Sequence, residues 1–121
     1  MEFLFDNNLP IYIQLVDGIK TSIISGKIKS GERLPSVREL ALQIKVNPNT
    51  IQKALAELEN QGLIYTERTN GKFVTEDKQL INKVRKESAD DLVNKFINNM
   101  KELGIEKEEL VNYLNEWRKE E

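Results

Sequence analysis

The chain has 121 residues, 39% apolar and 31% charged. That is enough for one domain with an accessory segment. It is too charged for a membrane-embedded protein, since no uncharged apolar run approaches the roughly 20 residues a span needs. Cys and His are both missing, which excludes disulfide staples, thiolate or imidazole metal centres, Cys nucleophiles and His-based acid–base relays.

The N-terminal run Met1-Glu2-Phe3-Leu4-Phe5-Asp6 lacks the basic start and apolar stretch of a secretion signal, so a cytoplasmic location is expected. Pro10 then suits the first position of a helix, where its missing N–H costs nothing. Tyr12, Leu15 or Val16, Ile19 and Ile23 recur at helical spacing behind it, and Gly26 provides a left-handed cap. Gly18 interrupts this pattern. Lys27 to Pro35 reads as a linker.

Ser36-Val37-Arg38-Glu39 has the form of a capping box, opening a second helix with Val37, Leu40, Ala41 and Ile44 as its apolar stripe. Asn47-Pro48 starts a third, Asn as cap and Pro at the position after it. Ile51, Ala54, Leu55 and Leu58 face inward and Gly62 ends it. Leu63 to Arg68 and Lys72 to Thr75 have strand composition, with Asn70-Gly71 expected to supply the positive φ angles of a tight hairpin turn.

Three helices and a hairpin in this order predict a mainly α fold with a small β-hairpin: a winged helix-turn-helix. It is expected to occupy residues 1–77. Residues 78–121 read as a long helix from Lys78 to about Leu103, a Gly104 cap, and a last helix from about Glu106 to Arg118. Two helices cannot bury Leu92, Val93, Phe96, Leu110, Leu114 and Trp117 by themselves. These faces must pack on the first domain, on another chain, or on both.

Formal net charge is −2, whereas nucleic-acid binders usually carry a basic footprint. The charge is unevenly spread. From Lys20 to Lys53, seven cations (Lys20, Lys27, Lys29, Arg33, Arg38, Lys45, Lys53) oppose only Glu32 and Glu39, a local excess of five. Acids collect at Glu57 and Glu59, Glu87 to Asp91, Glu106 to Glu109 and Glu120-Glu121. A local basic surface suffices to grip phosphate.

The third helix exposes Asn47, Asn49, Thr50, Gln52 and Lys53. Asn and Gln pair with adenine in the major groove, and Thr reaches phosphate or a thymine methyl. Arg38 has no acid three or four residues away, which favours a guanine edge or phosphate as its partner. Lys72 at the hairpin tip can meet phosphate, Gly71 permits close approach to a minor groove, and Lys45 and Arg33 are further candidate phosphate contacts. Glu106, Glu108 and Glu109 suit the dipole of a helix start rather than a metal site. No nucleophile constellation or Gly-rich phosphate loop occurs, so no enzyme, cofactor or metal is expected. A winged-helix module that binds protein through the same surface is the rival reading.

Pro10-Ile11-Tyr12, Gly31-Glu32-Arg33-Leu34-Pro35-Ser36-Val37-Arg38-Glu39-Leu40-Ala41, Val46-Asn47-Pro48-Asn49-Thr50-Ile51-Gln52-Lys53-Ala54 and Leu58-Glu59-Asn60-Gln61-Gly62-Leu63-Ile64 together resemble the GntR family of bacterial transcription regulators, and its YtrA-type branch in the Val-Asn-Pro-Asn-Thr run and the short C-terminal segment. The resemblance is strong over residues 9–75. It implies a homodimer bound to operator DNA, usually as a repressor, with residues 78–121 as the dimerisation segment and a transporter operon as a target. It also implies Arg38 as a base or backbone contact, Ser36 as a phosphate contact, Asn47, Asn49, Thr50 and Gln52 as the reading edge, and Gly71 in the wing. The chain departs from the wider pattern at Gln52, Leu55 and Lys72. Forty-four C-terminal residues leave little room for a ligand pocket within one subunit, and no effector is specified.

Overall fold

A computed structural model describes residues 3–118; Met1-Glu2 of the N-terminal run and the Glu120-Glu121 acid pair lie outside them. The elements are α1 (Ile11–Ile24), α2 (Val37–Ile44), α3 (Pro48–Asn60), β1 (Ile64–Glu67), β2 (Gly71–Val74), α4 (Lys78–Glu102) and α5 (Lys107–Glu116). They form two compact units, through Arg85 and from Lys86 onward.

In the first unit, Leu15, Val16, Ile19 and Ile23 of α1 meet Leu40 and Ile44 of α2 and Ile51, Ala54, Leu55 and Leu58 of α3 in one core, closed by Leu63, Ile64 and Val74 of the hairpin. Leu80, Ile81 and Val84 from the first two turns of α4 pack against it. Gly18 has a packing reason: the Phe3 ring occupies the space a side chain there would need.

Local chemistry sets where the helices stop and start. The Ser36 Oγ accepts from the Glu39 N–H at 3.1 Å, and the Glu39 carboxylate accepts from the Ser36 N–H at 3.1 Å, closing the capping box of α2. Such a cap contributes about 1 kcal/mol. α2 ends at Lys45, which adopts φ 64°, ψ 49° in the turn to α3. At the end of α3, Gly62 N donates to Glu59 O and Leu63 N to Leu58 O. These two bonds, with Leu58 and Leu63 both buried, are a Schellman ending that leads the chain straight into β1.

β1 and β2 pair antiparallel, Ile64 with Val74 through Glu67 with Gly71. The turn differs from the sequence expectation. Asn70 N donates to Glu67 O at 3.2 Å, and of the Asn70-Gly71 pair only Gly71 has positive φ, at 99°. Three residues lie between the paired Glu67 and Gly71, so the left-handed residue follows the turn instead of forming its centre. The Lys27 to Pro35 linker is also more ordered than its composition indicated. Arg33 bridges Phe73, Leu34 N donates to Lys72 O at 2.8 Å and Val74 N to Glu32 O at 2.9 Å, adding a short third edge to the wing.

In the second unit, Gly104 N donates to Lys101 O and Ile105 N to Met100 O, so α4 also ends in a Schellman motif. α5 is shorter than expected, ending at Glu116 with Trp117 already extended. Leu110 is the one buried apolar residue among those described there; Leu92, Val93, Leu103, Leu114 and Trp117 are exposed.

Candidate nucleic-acid interface

The site begins with the two faces of α3. Ile51, Ala54, Leu55 and Leu58 are buried, which turns Asn49, Gln52 and Lys53 outward; all three are exposed and Thr50 is half-buried. Asn47 caps the helix through its side chain, whose Oδ1 accepts from Asn49 N at 2.8 Å. Its amide NH2 keeps both donors for a partner. The leading turn of α3 therefore presents amides and a hydroxyl, its first backbone N–H groups already satisfied by Asn47.

Lys53 is more constrained than its exposure indicates. Its Nζ lies 4.5 Å from the centroid of the Tyr12 ring of α1, a cation–π contact that holds the ammonium at the edge of the polar face. Tyr12 is thus a member of the surface that sequence reasoning assigned only to the apolar stripe of α1.

Arg38 is exposed at the second residue of α2 and belongs to neither ion pair among the described residues, Lys72–Glu59 and Lys86–Asp90. A cation in a first helical turn opposes the helix dipole, so its charge does not favour the start of α2. Ser36 lies two residues before it, its Oγ accepting from Glu39 N. Glu39 is held below the usual carboxylate range chiefly by the Ser36 backbone N–H, then by the Ser36 side chain.

The wing approaches the start of α2 across a cleft of about 410 Å³ whose walls include Arg33, Ser36, Thr66, Arg68, Gly71 and Lys72. The cleft thus gathers three cations and one acid, Glu67; of the cations only Arg68 was not already a candidate DNA contact. Gly71 is favoured here chiefly by its backbone conformation. Its φ of 99° is one that L side chains rarely adopt, and a Cβ would stand 3.3 Å from the Arg33 Nε.

Lys72 is not free in the way its position at the hairpin tip implied. Its Nζ donates to Glu59 Oε1 at 3.0 Å and to Thr66 Oγ1 at 2.8 Å. Thr66 donates to the same Glu59 oxygen at 2.9 Å. These bonds hold the Glu59 carboxyl below its usual range, Lys72 contributing most and Thr66 next. With side chains 28% and 41% exposed, the pair contributes less than about 1 kcal/mol to stability. One of the three ammonium donors remains uncommitted. The pairing of Thr66 with Lys72 follows from the hairpin register; the reach to Glu59 depends on how α3 meets the wing and has no linear signature.

The structure thus groups Ser36, Gly71 and Lys72 around the cleft and sets Asn47, Asn49, Gln52 and Lys53 on the outer face of α3. Among the described residues no three His, Cys, Asp or Glu side chains gather as metal ligands, and no helix is long and apolar enough to cross a membrane.

Residues 11–74 match the model of the gntR family of bacterial regulatory proteins. The chain is 38% identical over 111 residues to the HTH-type transcriptional regulator YhcF of Bacillus subtilis, covering 92% of each. It is 36% identical over 115 residues to the HTH-type transcriptional repressor YtrA of the same organism, covering 94% of this chain and 85% of YtrA. Among solved structures, a GntR family transcriptional regulator from Listeria monocytogenes superposes with a TM-score of 0.88 at 45% identity, over 94% of this chain and all of that one. The AraR DNA-binding domain in complex with operator ORX1 superposes with a TM-score of 0.56 at 33% identity, over 62% of this chain and 95% of that one.

Proposed function

The chain is a transcriptional regulator of the gntR family of bacterial regulatory proteins, and we propose that it acts in the cytoplasm as a homodimeric repressor at an inverted-repeat operator. One observation carries the DNA-binding reading. α3 presents an uncharged polar leading turn, and α2, which shares its core, carries in its first turn an exposed Arg38 that belongs to neither ion pair among the described residues. The operator complex of the similar AraR domain and the name repressor borne by YtrA support it.

In this reading residues 1–77 bind DNA. α3 enters the major groove with Asn47, Asn49, Thr50 and Gln52 at base edges or the flanking backbone. Arg38 forks onto a guanine or a phosphate, Ser36 donates to phosphate, and Lys53 meets the backbone from its seat on Tyr12. Gly71 lets the wing approach the minor groove, and Lys72 supplies a phosphate contact with its remaining donor. Residues 78–121 pair two copies through Leu92, Val93, Leu103, Leu114 and Trp117, which stand exposed on the single chain. The occupant is a second copy, because a two-fold axis matches two α3 helices to half-sites about 34 Å apart on one face of the duplex. Occupied, such an operator excludes polymerase; the resemblance points to a transporter operon as the target.

The test is a gel-shift series with the DNA upstream of the protein's own gene, at salt from about 50 to 200 mM, where a protein making 6–10 phosphate contacts loses roughly 10³–10⁵ in affinity. Retardation with that steep dependence supports the reading. No retardation of any duplex at the low end defeats it and leaves the protein-binding rival.

A further inference from the structure

We propose that Glu59 is a brake on the wing: its carboxylate competes with DNA phosphate for the Lys72 ammonium and so limits how tightly the chain holds DNA of any sequence. The inference rests on the DNA-binding reading above. Two acids lie in the last turns of α3 and their partners differ. Glu57 accepts from the Gln61 amide at 2.9 Å on its own helix. Glu59 instead reaches across to the hairpin and takes Lys72 at 3.0 Å, with Thr66 bonded to both.

The triangle joins the helix that would read bases to the strand that would grip phosphate. Lys72 also lines the cleft with Arg33 and Arg68, three cations against the single acid Glu67, so a phosphate would find a net positive charge there. A phosphate arriving there meets a cation already neutralised at contact distance. It must either displace the carboxylate or accept the single remaining donor beside a like charge. Both terms act on the sequence-independent part of binding, which comes from phosphate neutralisation and counterion release. The pair is partly exposed and therefore exchangeable, as a competitive brake requires. A repressor weakened in this way is less readily held by the great excess of non-operator DNA.

Fluorescence anisotropy with a random-sequence duplex, over about 50 to 200 mM salt, tests this in the full chain. Freeing one phosphate-binding cation steepens the salt slope by about 0.9 per head. Glu59→Gln should therefore gain roughly 3.5-fold more affinity per head than wild type when salt is lowered from about 200 to 50 mM. Glu59→Ala, lacking the acceptor as well as the charge, should move the same way. In a Lys72→Ala background Glu59→Gln should change neither slope nor affinity. Unchanged or weaker binding by Glu59→Gln with an intact melting curve overturns the brake and makes Glu59 a strut. An equal gain in the Lys72→Ala background also overturns it, assigning the effect to general repulsion. If wild type and variants alike ignore the duplex at low salt, the DNA-binding reading fails and the brake falls with it.

Discussion

Replacing Arg38 by Ala should separate binding from folding, and the structure predicts opposite signs for the two. Arg38 is the second residue of α2, solvent-exposed and outside both ion pairs among the described residues. Among the described residues its side chain makes no ion pair that the substitution would remove. The capping box runs between Ser36 and Glu39 and is untouched, Ala is the best helix former, and removing a cation from the first turn relieves about 0.3–1 kcal/mol of unfavourable interaction with the helix dipole at low ionic strength. The melting temperature should hold or rise by a few degrees, since about 1 kcal/mol moves a domain of this size by roughly 4–8 °C. Binding should move the other way. A bidentate Arg–guanine pair discriminates by about 1–3 kcal/mol, or roughly 5- to 160-fold per half-site. Anisotropy on the operator found by gel shift, beside a thermal melt of the same preparation, reads both. Unchanged affinity removes Arg38 from the interface. Weaker binding with a drop of several degrees refutes the argument that this side chain is placed for DNA at the expense of the helix.

Ser36→Ala removes the cap that Arg38→Ala spares, so it should cost about 1 kcal/mol and lower the melting temperature by roughly 4–8 °C; an unchanged melt by calorimetry would show that the capping box contributes nothing. Glu39, depressed by its bonds to Ser36, stabilises the fold fully above the ordinary carboxylate pKa of about 4.3, and loses that contribution as pH falls through its lower folded value. Melting temperature measured downward from pH 5 should therefore fall less steeply in Glu39→Gln than in wild type, and parallel curves would contradict the sign. Leu92→Glu with Leu114→Glu places charge on side chains that are 68% and 56% exposed in the single chain, so sedimentation should show a folded monomer with weakened DNA binding; a dimer of unchanged mass would refute pairing through these residues.

The parts of this fold readable in the sequence are those set by near neighbours along the chain. The capping box, the Asn47-Pro48 start and the apolar spacing of α3 each specify geometry within a few residues, and the observed helices begin where those residues place them. The turn was harder. Asn70-Gly71 fits a two-residue hairpin, yet only Gly71 has positive φ, because pairing of Glu67 with Gly71 leaves three residues in the loop. Register depends on which strand face meets the core, and Ile64 opposite Val74, both buried, fixes it. The candidate site divides the same way. Asn49 and Gln52 follow from the helical period once Ile51 and Leu55 are known to face inward. Lys53 on Tyr12 and Lys72 on Glu59 join residues 41 and 13 positions apart, across α1 to α3 and α3 to β2. No periodicity reports such contacts, yet they decide how much of each positive charge DNA would meet. A lysine count measures the basic excess of the chain; the fraction of it available to phosphate is set by the tertiary partners that already hold it.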